Sequence, residues 1–319
     1  MPNESLRNIP ISLIGLPYME GTRQPNAGYS FALGPTVLLE ATNVPAAMRE
    51  VFDDIEVIMI DDVDEPGPRE TGGDHRLLPI GDQMSRILVQ NIRLAQVVSE
   101  ARAKGRIPIT AIGCCSAALG MVGGVGDAEG DIGMIWFDCH GDAKTPDTSE
   151  NGFFDGMPVT TIAGKCWPRL RRKIPGFKEI PEDRIVTIGL HEQFTSGGRP
   201  GAGDALGWQV HKLEFEKHGF EGALALALDD LLKRCKKVFV HVDVDVLDPS
   251  IINVSTHTAP GGFTSEQLVT ALDMIGKRFE ILALAWSAYD PTIDTKGPSV
   301  LIPMVVQSAQ IAARSRLPG

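Results

Sequence analysis

An α/β fold, with a central and mainly parallel β-sheet covered by helices on both faces, is the class that this 319-residue sequence predicts. Three observations support it. Mainly apolar runs of strand length recur along the chain, and helix-like segments lie between them. No internal repeat, linker or low-complexity segment interrupts this alternation. We therefore expect one domain over residues 1–319.

Seven apolar runs are predicted to be the strands of that sheet. In chain order they are residues 11–16, 55–60, 107–112, 132–137, 185–190, 238–242 and 281–286. Each has the length of a buried strand and is too short for an ordinary helix. Glycine and proline fall mainly between the runs and are typical of the connecting loops.

Five helices are predicted between the strands, and capping or breaking residues mark several of their ends. They are residues 36–49, 83–104, 222–235, 265–275 and 299–315. Gly34 and Pro35 open the first helix, and Thr264 is placed to cap the fourth. Asp82 is placed to cap the second, which ends at Gly105.

Two of the predicted strands, the fourth and the sixth, run into clustered acidic residues. The fourth is followed by Asp138, His140 and Asp142, and the sixth by Asp243 and Asp245. Residues two apart on a strand point to the same face, so the members of each cluster can converge. In open parallel sheets, ligands bind beyond the carboxyl ends of the strands, where both clusters lie.

A divalent metal site is the leading interpretation of these clusters. An ionised carboxylate that is buried without a partner is strongly unfavourable, or its pKa shifts, and a cation removes that cost. One Asp-x-Asp pair alone would favour a turn or a helix cap. Two acidic clusters at strand ends favour a metal. Histidine and aspartate donors without cysteine pairs at zinc-finger spacing indicate a catalytic, oxygen-rich site instead of a structural zinc.

The net charge and the cysteine content indicate which partners are excluded and which compartment is expected. A formal net charge of −11 and the lack of a long basic run argue against a nucleic-acid partner. No apolar run approaches the roughly 18 to 20 residues of a spanning helix, so we expect no membrane partner. Five cysteines without framework spacing suggest a reducing compartment, and no signal-peptide pattern is present. We therefore expect a cytoplasmic protein.

Several motifs resemble those of the ureohydrolase superfamily of arginase, agmatinase and formimidoylglutamase. Asp-Cys-His-Gly-Asp at 138–142 resembles the family's Asp-Ala-His-x-Asp motif. Residues 241–249 resemble its Ser-x-Asp-x-Asp-x-x-Asp-Pro motif, with His241 in place of the serine. The elements at 34–38, 151–158 and 261–264 add individually weaker support in the same order along the chain.

The resemblance implies an arginase-like three-layer α/β/α sandwich and a metal-dependent hydrolase. Family members usually hold two manganese ions, and a metal-bound hydroxide attacks the trigonal carbon of the substrate. By resemblance, Asp138 and Asp243 would bridge the two metals. His140 and Asp245 would complete one position, while Asp142 would serve the other and assist proton transfer. Oligomers are usual in the family, so a homo-oligomer, either a trimer or a hexamer, is expected.

The family's first metal motif, Gly-Gly-Asp-His-Ser, has lost its ligand histidine here. Cys115 stands at that position. Two interpretations stay open: Cys115 binds a metal as a soft thiolate, which favours zinc or iron over manganese, or it binds none. We expect one tightly held manganese ion at the remaining ligands, with zinc, iron or nickel as alternatives, and a weak second site.

The residues that would handle protons and substrate also depart from the family. Asp155 replaces the family's proton-shuttle histidine, and His257 is an alternative shuttle, so both join Asp142 as candidate catalytic residues. Ala288 replaces the glutamate that pairs with a guanidinium, which argues against plain arginine as the substrate. The candidate substrate-binding residues are Asn151, His191 and Asp290.

Three functions stay open. The leading one is hydrolysis of a linear C–N bond in a guanidino, N-hydroxyguanidino or related amidine small molecule. The second is hydrolysis of a non-guanidino amide on the same scaffold, which is motivated by Ala288. The third is a non-catalytic relative that keeps a metal, which is motivated by Cys115 and Asp155.

Overall fold

A single sheet of parallel strands runs through the centre of the part of the chain that the structure describes. The structure, a computed structural model, describes residues 4–19, 30–60, 83–126, 128, 130–149, 152–191, 205–255 and 257–317. The strands are β1 (Ile11–Leu16), β2 (Ile55–Met59), β3 (Ile107–Ile112), β4 (Ile132–Phe137), β5 (Ile185–Ile188), β6 (Trp208–Val210), β7 (Lys237–Asp243) and β8 (Glu280–Ser287). Their order across the sheet is β2-β1-β3-β8-β7-β4-β5-β6, and all neighbouring pairs are parallel.

The seven predicted strands are confirmed, six of them to within one residue at each end. The fifth, β5, stops two residues early because Gly189 adopts a φ of +102°, which turns the chain away from the sheet. The eighth strand, β6, is not predicted, since three residues are too few to show a periodic pattern.

Helices cover both faces of the sheet, as the predicted fold class requires. They are α1 (Glu4–Arg7), α2 (Leu33–Leu38), α3 (Val44–Arg49), α4 (Gln83–Ala103), α5 (Ala118–Val125), α6 (Pro158–Ile162), α7 (Pro168–Arg171), α8 (Lys212–His218), α9 (Phe220–Leu231), α10 (Ser265–Gly276) and α11 (Gly297–Arg314). One face packs against α2, α3, α9, α10 and α11, and the other against α4 to α7.

Alternating side chains of the strands feed these two cores. In β4, Ile135 and Phe137 belong to the first core, whereas Met134 and Trp136 belong to the second. Side chains on a strand alternate between faces, so a strand buried on both faces must be apolar throughout. The three-layer α/β/α sandwich is therefore confirmed.

The helix predicted over 36–49 is wrong as a single element, because the structure has α2 and α3 with a turn between them. Pro45 lacks the N–H that a continuous helix would need at that position. Asn43 closes the turn, and its side-chain Nδ2 donates to the carbonyl oxygen of Val37 at 2.6 Å. The break therefore follows from local turn chemistry that the apolar spacing conceals.

Capping confirms one predicted helix start, and another lies outside the described residues. The Thr264 hydroxyl accepts from the Gln267 N–H at 3.1 Å, and the Gln267 side chain accepts from the Thr264 N–H at 2.9 Å. Asp82 lies outside the described residues. The helix predicted at 222–235 begins and ends earlier, as α9. None of the described helices combines the length and apolar character that crossing a bilayer requires.

Gly113 lets the chain leave β3 in close contact with a neighbouring loop. A Cβ atom at this position would lie 2.1 Å from the carbonyl oxygen of Tyr18 and 3.3 Å from Cα of Ala32. Both neighbours are backbone, which does not give way as a flexible side chain does. Only glycine fits this approach, and the approach positions the two residues that follow, Cys114 and Cys115.

We expect Gly113→Ala to lower the free energy of unfolding by about 1–3 kcal/mol, because the added methyl group overpacks a rigid contact. Gly222→Ala is the matched control, since a Cβ there meets only His218 Cβ, at 3.7 Å, inside α9. That control should be neutral or stabilising by up to about 1 kcal/mol. Chemical denaturation measures both changes, and equal stability of the two variants would contradict the close approach at Gly113.

Candidate metal centre

The carboxyl ends of four adjacent central strands bring polar side chains to one edge of the sheet. The strands are β3, β8, β7 and β4, which are neighbours in that order. Cys115 follows β3, Ser287 ends β8, Asp243 ends β7 and Asp138 follows β4. All four side chains are buried, so they contact one another instead of bulk water.

Asp138, His140 and Asp245 form the first donor group, which we call the oxygen-rich group. His140 Nδ1 lies 3.2 Å from Asp138 Oδ1 and 3.2 Å from Asp245 Oδ2. The His140 N–H donates to Asp138 Oδ1 at 2.7 Å, and the Cys139 N–H donates to Asp245 Oδ1 at 3.2 Å. These backbone bonds hold the loop after β4 against the end of β7, so two distant parts of the chain share one site.

The predicted convergence of each cluster is confirmed, but the reason given for it is wrong. Asp138 and His140 both lie beyond the last residue of β4, and Asp245 lies in a 3₁₀ turn, Val244–Val246. Asp243 caps that turn by accepting from the Asp245 N–H at 2.9 Å. Side-chain bonds to the backbone, and not strand alternation, bring these residues together.

Cys115, His241 and Asp243 form a second donor group, which we call the sulfur group. The Cys115 thiol donates to Asp243 Oδ2 at 2.8 Å, and its sulfur lies 3.2 Å from His241 Nε2. The Ser287 hydroxyl lies 3.1 Å from both the sulfur and His241 Nε2. Burial raises the pKa of the Cys115 thiol well above its usual value, and Asp243 adds to this effect. Burial also lowers the pKa of His241 to about 3.

A third set of donors links these two groups. Cys115, Asp138 and Asp142 offer ligand atoms that lie within 4.8 Å of one another. Asp142 has a φ of 45°, a backbone conformation that is uncommon outside glycine and is typical of functional sites. All six predicted metal ligands therefore lie in one contiguous cluster: Cys115, Asp138, His140, Asp142, Asp243 and Asp245.

Three carboxyl groups in this cluster resist ionisation in the absence of a cation. Burial raises the pKa of Asp138 and raises the pKa values of Asp142 and Asp243 well above the ordinary value. The neighbouring carboxylates raise these pKa values further. Positive charge at their centre would relieve both effects, so the donor set fits a divalent metal.

His140 and Asp245 behave as a charged pair within the cluster. Burial alone would lower the pKa of His140, but the charges of Asp245 and Cys139 and the hydrogen bonds to Asp138 and Asp245 together raise it well above its usual value. Burial likewise opposes the charge on Asp245, yet His140 and the hydrogen bonds from Cys139 together lower the pKa of Asp245 to about 2. Asp245 is therefore the one carboxylate of the four that already holds its charge against a cation.

A cavity of about 340 Å³ opens onto the cluster. Cys115, His140, Asp142, Asp243 and Asp245 form part of its lining. A larger depression of about 700 Å³ lies beside β5 and β6, but none of these donors lines it. We place the site in the smaller cavity, because it holds the side chains that can bind a cation.

Both candidate proton shuttles reach this cavity. Asp155 lines it, and one carboxylate oxygen accepts from the Ser116 N–H at 2.6 Å, which ties Asp155 to the turn that carries Cys115. His257 also lines it and is exposed. The rings of His257 and His140 meet edge to face, with centroids 6.3 Å apart.

The two predicted substrate-binding residues that the structure describes do not line the cavity. Asp290 is fully buried, and its oxygens accept from the Ser30 N–H at 2.7 Å and from the N–H and hydroxyl of Thr292. His191 is buried, and its two ring nitrogens face backbone carbonyl oxygens of Gly189 and Ala259. These bonds give both residues a role in holding loops. Asn151 lies outside the described residues.

Several cavity residues carry no motif that would have revealed them. Lys144 lines the cavity and, among the described residues that line it, is the only lysine or arginine. Phe31 and Phe153 add aromatic surface. Ser287 and His241 join the site only through strand neighbours, since Asp243 pairs with Ser287 across β7 and β8. For His241, the spacing of two residues from Asp243 is the single signal in the sequence.

The fold and the cluster define an α/β protein with a carboxylate-rich candidate cation site at the ends of its central strands. Comparison with known proteins identifies the family. Residues 9–313 match the model of the arginase family, so the chain belongs to that family and the resemblance in its motifs is confirmed.

Individual relatives agree with this assignment. The chain is 26% identical over 306 residues to an arginase of Bacillus caldovelox, a match that covers 94% of this chain and 97% of the relative. It is 28% identical over 268 residues to human arginase-1, which covers 82% of this chain and 78% of the relative. The crystal structure of the Bacillus caldovelox arginase superposes with a TM-score of 0.76 at 24% identity, covering 95% and 98% of the two chains, and shows the same fold.

We expect the metal-free protein to lose stability as the pH rises above about 4. The raised pKa values of Asp138, Asp142 and Asp243 mean that the native state holds more protons than the unfolded chain in this range. The free energy of unfolding should then fall by about 1.4 kcal/mol per pH unit for each carboxyl group that is still protonated only in the native state. The lowered pKa of Asp245 acts in the opposite direction, but only below this range. The lowered pKa of His241 also acts in the opposite direction up to about pH 6.5, where it offsets one of the three carboxyl groups.

Saturating manganese should therefore stabilise the protein more at high pH than at low pH, since fewer protons compete for the carboxylates. Denaturant unfolding of chelator-treated and manganese-loaded protein, at several pH values between about 4.5 and 8, measures both slopes. A metal-free protein that gains stability as the pH rises across this range would contradict the assignment of the cluster.

Proposed function

We propose that the protein is a metal-dependent hydrolase of a linear C–N bond in a guanidino, N-hydroxyguanidino or related amidine substrate. Membership of the arginase family implies metal-dependent hydrolysis of guanidino-type substrates. The observation that carries the proposal is the contact of Asp138 and Asp245, which follow two separate strands, with one histidine, His140, beside a small cavity.

One manganese ion is the cofactor that the oxygen-rich group suits best. Asp138, His140 and Asp245, with Asp243 beside them, would hold it, and carboxylate-rich sets favour hard divalent ions. When bound, such an ion lowers the pKa of a coordinated water and orients it as a nucleophile. The second position is weak for manganese, because a thiol replaces the histidine there.

The chain's own residues then manage protons and position the substrate. Asp142, which lies beside Cys115 and Asp138 and lines the cavity, would receive the proton that the attacking water loses. Asp155 and His257 line the cavity and would pass a proton to the leaving amine. His257 is exposed, so it exchanges protons with solvent, whereas Asp155 is fixed by the Ser116 N–H.

The cavity wall favours a substrate that is less cationic than a plain guanidinium. Ala288 lines the cavity at the position where the family's motif has a glutamate, so a guanidinium would have no bidentate partner there. A neutral N-hydroxyguanidine or amidine does not need that partner. Lys144 would attract an anionic group elsewhere on the substrate. A non-guanidino amide is the second candidate, and Ala288 is again the observation that favours it.

The proposed setting is a reducing compartment such as the cytoplasm, with the protein as a homo-oligomer. All five cysteines are free and buried, which agrees with this compartment. We expect a trimer or a hexamer because oligomers are usual in the family. Sedimentation or light scattering measures the number of subunits directly.

We expect manganese-loaded protein to release urea or hydroxyurea from at least one member of a panel of guanidines, N-hydroxyguanidines and amidines. N-hydroxyguanidines should react faster than arginine, because Ala288 offers no partner to a full guanidinium. Release of an amine without urea or hydroxyurea would favour the amide hydrolase. No product from any member, with manganese bound, would contradict hydrolysis and leave a metal-binding relative.

The variants Asp138→Asn and Asp245→Asn should lose manganese and activity together, because each removes a charge from the oxygen-rich group. Asp248→Asn is the matched control from the same motif. The Asp248 carboxylate accepts from Ser250 and from the Gly261 N–H, away from the cluster, so this variant should keep its manganese. Activity that survives in Asp138→Asn or Asp245→Asn would refute the site assignment.

Cys115→His should raise the manganese content from one ion toward two per chain, since it restores a hard nitrogen donor at the weak position. Cys115→Ser is the matched control and should leave the count at one. Metal analysis by mass spectrometry after gel filtration measures both. An unchanged count in Cys115→His would contradict the view that the thiol weakens this position for manganese.

A further inference from the structure

We propose that Cys115, His241 and Asp243 form a separate site for a thiophilic divalent ion, with zinc as its natural occupant. This site is the sulfur group, and it lies beside the proposed manganese position. Asp243 belongs to the sulfur group and lies beside the oxygen-rich group. The proposal concerns metal selectivity and does not require the proposed hydrolysis to be correct.

The donor atoms of the sulfur group already converge on one point. Cys115 Sγ lies 2.8 Å from Asp243 Oδ2 and 3.2 Å from His241 Nε2. The Ser287 hydroxyl oxygen is a fourth polar atom, 3.1 Å from the sulfur, 3.1 Å from His241 Nε2 and 3.4 Å from Asp243 Oδ2. Sulfur, nitrogen and two oxygens therefore lie close to one another, and the ligand atoms of Cys115, His241 and Asp243 are all within 4.8 Å of one another.

The spacing of these four atoms suits zinc with little adjustment. In tetrahedral geometry, zinc bonds of about 2.0 Å to nitrogen or oxygen and about 2.3 Å to one sulfur imply donor separations of about 3.3–3.6 Å. The measured separations are shorter because hydrogen bonds now hold the atoms together. Opening them by about half an ångström, with release of the thiol proton to solvent, would admit the ion.

The His241 ring is held with Nε2 directed at the thiol. The ring stacks on Trp136, with centroids 3.6 Å apart and planes 12° from parallel. His241 and Asp243 are two residues apart on β7 and therefore share a face of the strand. A fixed imidazole, a thiol and a carboxylate form a borderline-soft donor set, which binds zinc in preference to manganese.

The alternative set of Cys115 with Asp138 and Asp142 is less suited to the thiol. Those donors lie within 4.8 Å of one another, whereas Cys115 contacts both His241 and Asp243 directly. Cys115 is therefore assigned to the sulfur group.

Cobalt(II) is the probe that tests this assignment, because a thiolate bound to cobalt gives a charge-transfer band in the near ultraviolet. Metal-depleted full-length protein should show that band on titration with cobalt, and zinc should abolish it by displacement. Cys115→Ser should lose the band. His241→Phe, which keeps a ring on Trp136 but removes the nitrogen, should weaken and shift it and lower zinc affinity at least about tenfold. Cys235→Ser, at a buried thiol outside the site, should leave it unchanged.

Two results would overturn the proposal. No charge-transfer band in the wild-type protein, with cobalt bound, would show that Cys115 is not a ligand. A band and zinc affinity unchanged in His241→Phe would assign Cys115 to the set with Asp138 and Asp142. Zinc-edge X-ray absorption of the wild-type protein tests the same assignment without any variant. We expect a sulfur neighbour of zinc at about 2.3 Å. A shell of oxygen and nitrogen alone would refute the proposal.

These measurements are independent of the hydrolysis assay. Zinc bound through sulfur with no turnover of the substrate panel would defeat the proposed function alone. Turnover with manganese, together with a zinc shell that lacks sulfur, would defeat the zinc site alone.

Discussion

Repulsion among buried carboxylates at the ends of β4 and β7 is the constraint on which the rest of the site depends. The two strands are neighbours in the sheet, so Asp138 and Asp243 are forced into the same electrostatic environment. Burial raises their pKa values, and each carboxylate makes its neighbours harder to ionise. A cation at the centre of these carboxylates would stabilise the arrangement. Backbone N–H groups that donate to Asp138 and Asp245 hold the carboxylates in place.

The sequence predicted most of the scaffold because strands buried on both faces are continuous apolar runs. It failed where short-range hydrogen bonds override that pattern. Pro45 breaks a helix whose apolar spacing looks continuous, and β6 is too short to produce a pattern. Asp245 reaches the site through a turn capped by Asp243, and strand alternation therefore predicted the right neighbours for the wrong reason.

The structure brings together the predicted ligands that lie within motifs, and it adds residues that reach the cluster only through tertiary packing. Asp138, His140 and Asp243 follow directly from two motifs. His241 joins Cys115 only because β7 and β3 are separated by a single strand, and Ser287 joins because β8 is that strand. Asp290 and His191 were predicted to bind substrate, yet backbone groups occupy their polar atoms. The order of the strands in the sheet, which the sequence does not reveal, brings His241 and Ser287 to Cys115.

The resulting site is chemically asymmetric, with an oxygen-rich half and a half that contains sulfur. Cys115 and His241 both belong to the half that contains sulfur. Anomalous X-ray diffraction at the manganese edge, on crystals grown with manganese, tests the central claim most directly. We expect a manganese peak within bonding distance of Asp138 and His140, which follow one strand, and of Asp245, which follows the other. No peak there, or a peak bound from one strand end alone, would contradict it.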